Sequence, residues 1–170
     1  MTTKTIQSGF VHLHLHSEYS LLDGGNKLDA LLKRVKELEM SAVAVTDHGN
    51  LFGAFDFYKK ARAARVKPIL GIEAYVALGD RKDRSPTGIR DGGFHLVLLA
   101  ENNLGWNNLV KLSSDSFLNG FYYKPRMDRE TLEQFSGGII AINGHLGSSI
   151  AYHLCKFADS DNEEDWKNAV

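Results

Sequence analysis

The sequence predicts an α/β protein with a largely parallel sheet and a functional rim where the strands end. Short apolar runs alternate with amphipathic helical segments, the pattern of repeated strand–helix units. No phosphate-cradling glycine loop of the GxGxxG or Walker type accompanies them. Metal-ligating residues recur where the runs end, at His14/His16, His48, Glu73 and His145. That placement is expected of a barrel whose site is built on one rim.

Taken in order, Phe10-Val11-His12-Leu13-His14-Leu15-His16-Ser17 alternates with period two and predicts a first strand. All three histidines would then share one face. With a rise of roughly 3.3 Å per residue, His12 and His16 lie about 13 Å apart, so only an adjacent pair can grip one ion. His14 and His16 are nearest the rim, leaving His12 in a supporting position. Leu28, Leu31, Leu32, Val35 and Leu38 recur at helical spacing opposite Lys33, Arg34, Lys36, Glu37 and Glu39. Ala42–Thr46 is apolar enough for a strand buried on both faces and ends at Asp47-His48-Gly49-Asn50. A second helix is expected with Leu51, Phe55 and Tyr58 on one side, and a third strand over 68–76. Residues 79–93 are almost devoid of apolar side chains and predict an exposed, mobile loop. A fourth strand over 94–100 and a helix over 104–117 follow. The connection Gly120–Arg126 is aromatic and basic. A short helix over 128–135, a strand over 138–143 and a helix with Ile150, Leu154 and Phe157 complete the pattern.

Two features strain a uniformly parallel barrel. His95 stands at the start of its run, on the wrong rim, so either that strand is antiparallel or the preceding loop folds over. Five strands are also too few, because such a barrel typically needs about 250 residues and the chain has 170. Asp161-Asn162-Glu163-Glu164-Asp165-Trp166 reads as the acidic first turn of a further helix. The expectation is a fragment of a longer protein.

Bulk properties narrow the function. A hydrophobic content of 43% suits one globular domain, and a net charge of −1 gives no global attraction to nucleic acid. The single cysteine, Cys155, excludes an internal disulfide and a multi-cysteine zinc ribbon, and reads as a small buried hydrophobe. No run approaches 18 apolar residues, so the expectation is a soluble, cytoplasmic protein with no membrane partner.

The candidate site residues are His14, His16, Asp23, His48, Glu73, His95 and His145. Imidazoles mixed with carboxylates suit zinc, manganese or iron, with magnesium a poorer match, and the lack of thiolates argues against a closed structural zinc site. Glu73 at the end of an apolar strand is the hardest to dismiss, since buried carboxylates need partners. Asp47 reads as a helix N-cap rather than a ligand, with a supporting role as the alternative. His153, beside Tyr152, reads as a surface or packing residue.

At this point the residues resemble a known family. His14-Leu15-His16-Ser17 with Ser20 and Asp23-Gly24, Thr46-Asp47-His48-Gly49, Gly71-Ile72-Glu73-Ala74, His95-Leu96 and the glycine-flanked His145 are similar to the motifs of the polymerase and histidinol phosphatase (PHP) superfamily. The flanking stretches 10–24, 46–54, 67–71 and 120–126 resemble the N-terminal PHP domains of bacterial replicative polymerases. The resemblance implies a distorted (β/α)7 barrel, of which residues 1–170 would be the N-terminal part. Residues 1–9 would be a leader, and the C-terminal part, with its Asp-x-His motif, would be absent. It implies up to three divalent metals held by the seven residues above, with Glu73 bridging and water as nucleophile, so that no side chain beyond the ligands is catalytic. Histidine at position 145 would replace a cysteine seen in relatives.

Members with the full ligand set are metal-dependent 3′–5′ exonucleases. Members that have lost ligands act as platforms for other replicase subunits and dock a separate proofreading exonuclease. This chain retains His48, which degenerate members lose. The resemblance therefore implies hydrolysis of DNA delivered by a parent polymerase, with a non-catalytic scaffold as the alternative and a small-molecule phosphatase behind both. Arg84, Arg90, Lys124 and Arg126 are the candidate phosphate contacts, although each reads first as a solvated loop residue.

Overall fold

The computed structural model describes residues 9–86, 89, 92–143, 146–160, 164 and 167. The expected leader up to residue 8, Arg90, His145 and most of the acidic stretch after 160 lie outside them. The element order is α1 (Leu28–Glu37), β1 (Ala42–His48), α2 (Ala54–Ala63), β2 (Lys67–Val76), β3 (Phe94–Ala100), α3 (Asn103–Leu118), β4 (Arg126–Met127), α4 (Arg129–Gln134), β5 (Ile139–Ile142) and α5 (Ser149–Ser160). The strands form one sheet in the order β1-β2-β3-β5, with β4 also paired to β2.

Strand register decides what each face carries. β1 and β2 are parallel with His48 opposite Glu73, and β2 and β3 are antiparallel with Tyr75 opposite His95. Paired residues share a face and alternate residues return to it. One face therefore collects Ala44, Thr46, His48, Glu73, Tyr75, His95, Val97 and Leu99. The other collects Val43, Val45, Ile72, Ala74 and Leu98, and there the helices pack. α1 and α2 cover Val43 and Val45 with Leu28, Leu31, Leu32, Val35, Phe57 and Ala61. α3 covers Ile72, Ala74 and Leu98 with Leu109 and Leu112. The inner face holds a smaller apolar cluster of Ala44, Val97 and Leu99, bordered by Ile69 and Ile142. Helices on one face and a polar rim on the other are what the expected partial barrel requires.

Several expectations need correcting. β3 runs antiparallel to both β2 and β5, which answers the His95 question. The expected first strand does not form. Ala44 N–H donates to His12 O and Thr46 N–H donates to Leu15 O, so three residues of one segment oppose two of the other. That extra residue makes a bulge and breaks the alternation, so the three histidines do not share a face. On α2 the buried residues are Ala54, Phe57 and Ala61, whereas Phe55 and Tyr58 are exposed and Leu51 precedes the helix, because the face carrying Phe57 and Ala61 is the one packed into the cluster with Leu28, Val43 and Val45. On α5, Cys155 is exposed rather than buried, and so are Ile150 and Leu154.

The loop after β2 is not wholly exposed either. Arg81 is buried, donating from Nη1 and its backbone N–H to Asp128 Oδ2 and from Nε to Asp115 Oδ2. Arg126, a candidate phosphate contact, is 1% exposed and donates to the carbonyls of Gly120, Arg81 and Asp83. It holds the loop to β4, and its donors are spent on backbone carbonyls rather than on a phosphate. Asp128 also caps α4, accepting from Thr131 N–H. Burial pushes the Asp128 carboxyl up, but the donors from Thr131 and Arg81 more than offset this and hold it at about 2.

A carboxyl lowered on folding stabilises the fold above its ordinary value near 3.8 and loses that contribution as pH falls towards 2. Thermal unfolding followed between pH 5 and 2 should therefore show a loss that Asp128→Asn reduces. Asp128→Ala removes the acceptor of Arg81 Nη1 and the cap of α4, and should cost roughly 3 kcal/mol by denaturant titration.

Candidate metal centre

Glu73 lies at the middle of the inner rim and is 0% exposed. Its Oε2 is 3.3 Å from His14 Nε2, 3.0 Å from His16 Nε2 and 2.9 Å from His48 Nδ1. Its Oε1 is 2.8 Å from His95 Nδ1. The other ring nitrogen of His48, Nε2, is 2.6 Å from Asp23 Oδ2. Burial alone would raise the Glu73 carboxyl. The four imidazoles reverse that and hold it well below the usual carboxylate range. Asp23 is likewise lowered, chiefly by its hydrogen bond with His48. His48 is raised, first by Glu73, against the opposing effect of burial.

Local chemistry explains the placement. His48 ends β1 and is followed by Gly49 at φ +62°, where a Cβ would strike Tyr75 and Pro125. Only glycine turns the chain so sharply there without displacing that packing. His16 leads into a tight turn braced from below by Asp47. Buried in β1, Asp47 accepts from Ser17 N–H, Ser17 Oγ and Ser20 Oγ, each at 2.7 Å. Ser20 Oγ is also 3.4 Å from His16 Nδ1 and accepts from His48 N–H. Asp47 is therefore not a helix N-cap. α2 begins at Ala54 with Gly53 as its cap residue. The turn closes at Gly24, where a Cβ would collide with the Ser17 carbonyl. At its tip Leu22 is fully exposed at φ +74°, beside Asp23.

Six of the seven expected ligands thus converge, and His145 lies outside the described residues. His12 is exposed with its ring 4.8 Å from Phe10 and belongs to no group of converging donors. Arg84 is exposed. Lys124 sits near the cluster, its ammonium 5.2 Å from the Tyr75 ring, which is stacked on His48. Ser17 and Ser20 stand in the motif with no role of their own in the sequence, because their spacing carries no chemical signal that would show them bonded to Asp47. The sequence reading missed Tyr75, which period-two spacing from Glu73 could have placed on the same face.

The donors fit metal ions. His48 presents both nitrogens to carboxylates, yet a neutral imidazole has one N–H and serves only one of them. His48 Nδ1 and Glu73 Oε2 are buried and make no hydrogen bond with acceptable geometry, although they are 2.9 Å apart. A buried acceptor left in that state is costly, and a cation satisfies it. The atoms fall into three sets, each within 4.8 Å: His14, His16 and Glu73; His16, Asp23 and His48; His48, Glu73 and His95. His16, His48 and Glu73 each belong to two sets, and of these only the Glu73 carboxylate, with two oxygens, could be shared between two ions.

A helix-covered partial barrel with a carboxylate ringed by imidazoles on its inner rim defines a metal-site domain of the PHP type. The chain belongs to the PHP domain family, which it matches over residues 12–170. Among characterised relatives, it is 46% identical over 168 residues to DNA polymerase III subunit alpha of Borreliella burgdorferi, covering 98% of this chain and 15% of that protein. It is 57% identical over 144 residues to the subunit of the same name from Thermus aquaticus, covering 83% and 12%. The chain therefore spans about one seventh of the length of these relatives. A solved amidohydrolase from Chromobacterium violaceum is similar at a TM-score of 0.42 and 20% identity, covering 62% of this chain and 34% of that one, a likeness too loose to carry argument.

Zinc or manganese at 100 times its dissociation constant should stabilise the fold by about 2.7 kcal/mol, read as a rise in Tm that chelation reverses. Asp47→Ala, which touches none of the donor atoms but frees the turn, should weaken metal binding by roughly 10–100-fold in calorimetric titration. Unchanged affinity would show that the turn does not position the ligands.

Proposed function

We propose that this domain hydrolyses a phosphodiester at the 3′ end of a DNA strand, using divalent metals held by His14, His16, Asp23, His48, Glu73 and His95, within a longer replicative polymerase. The convergence of four imidazole nitrogens on the two oxygens of one buried carboxylate carries the reading. His145 is proposed as a seventh ligand on the resemblance alone. Bound metals would supply a water of lowered pKa and positive charge opposite the phosphate oxygens.

The chain's own residues set up that chemistry. Glu73 spans the donor sets and stays ionised, so it is available to more than one ion. Asp47, through Ser17 and Ser20, fixes the turn that presents His16 and Asp23. The cluster is closed at Glu73 and His95 and open at His14 and Asp23, whose side chains are 32% and 65% exposed, so substrate approaches from that side. Lys124 offers a candidate cation for a phosphate oxygen, as a point charge on a flexible stem.

A second reading, a metal-stabilised platform for neighbouring polymerase domains or a proofreading partner, is favoured by the exposed apolar groove lined by Phe52, Trp106, Val110, Phe117 and Leu118. Metal analysis and a 3′-labelled single-strand assay on the full-length protein separate the two. Hydrolysis is supported by bound metal together with cleavage that His14→Ala and Glu73→Ala each reduce by at least about 100-fold, more than loss of a supporting residue costs. Bound metal that stabilises the fold with no cleavage leaves only the platform.

A further inference from the structure

We propose that the hairpin Tyr122-Tyr123-Lys124-Pro125 is a stacking subsite for the unpaired terminal base of a single-stranded nucleic acid, set beside the histidine–carboxylate cluster. The proposal deepens the hydrolytic reading and rests on it only for the fate of the phosphate.

Three observations carry it. The hairpin is seated on the rim of the cluster. Pro125 packs over Gly49, the residue after His48, so closely that a Cβ there would come within 2.9 Å of Pro125 Cγ. Lys124 lies over Tyr75, whose ring contacts those of both His48 and His95, at 6.1 and 5.1 Å between centroids. A base on the hairpin therefore leaves its own phosphate near Lys124 and the cluster.

The hairpin is also rigid at its base and exposed at its tip. Tyr122 is held by the Arg126 guanidinium at 5.3 Å, and Arg126 is itself anchored by three backbone carbonyls. Tyr123 is 81% exposed at φ +60°, a conformation a bulky aromatic rarely adopts. Its ring buries little surface, so folding gains little from it, and strained residues of this kind cluster at binding sites.

Finally, Tyr122, Tyr123, Pro86 and Arg126 border a pocket of about 260 Å³. That is below the roughly 300–1,000 Å³ of sites for drug-sized ligands, so it suits one planar ring system. Stacking one base on an exposed aromatic strengthens binding by roughly 5- to 150-fold and tolerates any base, since every base has a π-face.

The test is photocrosslinking on the full-length protein with oligothymidylate ending in 3′-terminal 4-thiothymidine, in chelator so that no turnover is needed. Adducts are mapped by mass spectrometry. The expected adduct lies in the 120–126 peptide, persists in Tyr123→Phe and falls at least 5-fold in Tyr123→Ala. Tyr123→Gly relieves the positive φ, so it should lose the adduct without lowering Tm, whereas a merely structural tyrosine would lose Tm and keep the adduct. Adducts confined to other peptides, or an undiminished yield in Tyr123→Gly, overturn the subsite. Loss of cleavage with the adduct intact would sink the hydrolytic reading alone; cleavage without this adduct would sink the subsite alone.

Discussion

The carboxylate of Glu73 is the constraint around which the inner rim is built. A buried charge is expensive, and the neutral acid is the usual escape from that cost. Here the escape is closed, because imidazoles from three separate stretches of chain point at the two oxygens. The arrangement survives only if all the contributing segments hold their places together. Glu73 is delivered by a central strand with neighbours on both edges, which is the least mobile support the sheet offers. The same electrostatics that make the cluster awkward as a bare fold make it ready for cations.

Two further polar nodes hold the loops that a sheet cannot. Asp47 faces away from the cluster and uses both carboxylate oxygens to fix the Ser17–Ser20 turn. Arg81 and Arg126 cross-tie the long connection after β2 to Asp115, Asp128 and backbone carbonyls. Each node is buried, and each joins segments 27 or more residues apart. Together they convert two irregular stretches into fixed walls on either side of the metal centre. The exposed aromatics and leucines are left at the tips of those walls, where a ligand can meet them.

Membership of the PHP family and similarity to polymerase subunits set the scale of this unit. Its relatives are about seven times longer, so the rim described here corresponds to a small part of each of them. A near-neutral domain with an acidic, histidine-rich cleft attracts DNA weakly by itself. It is better suited to receive a strand end handed to it than to search for one. That physical asymmetry is common to the hydrolytic and platform readings, and it locates their difference in the cleft chemistry alone.

The sequence by itself determined the alternation of strands and helices, the amphipathic face of α1, and the collection of histidines and carboxylates at strand ends. These are legible because periodicity and residue chemistry are local properties. The antiparallel course of β3 was not, since the direction of a strand depends on a partner far away in the chain. Nor was the bulge opposite Ala44–Thr46, which takes His12 out of the face it would share with His14 and His16. The N-cap reading of Asp47 and the phosphate reading of Arg126 fail for the same reason. A charged side chain at the end of a run looks alike whether it caps a helix, meets a phosphate or braces a buried turn. Only the packed structure decides among these, because burial and hydrogen-bond partners are fixed by long-range pairing.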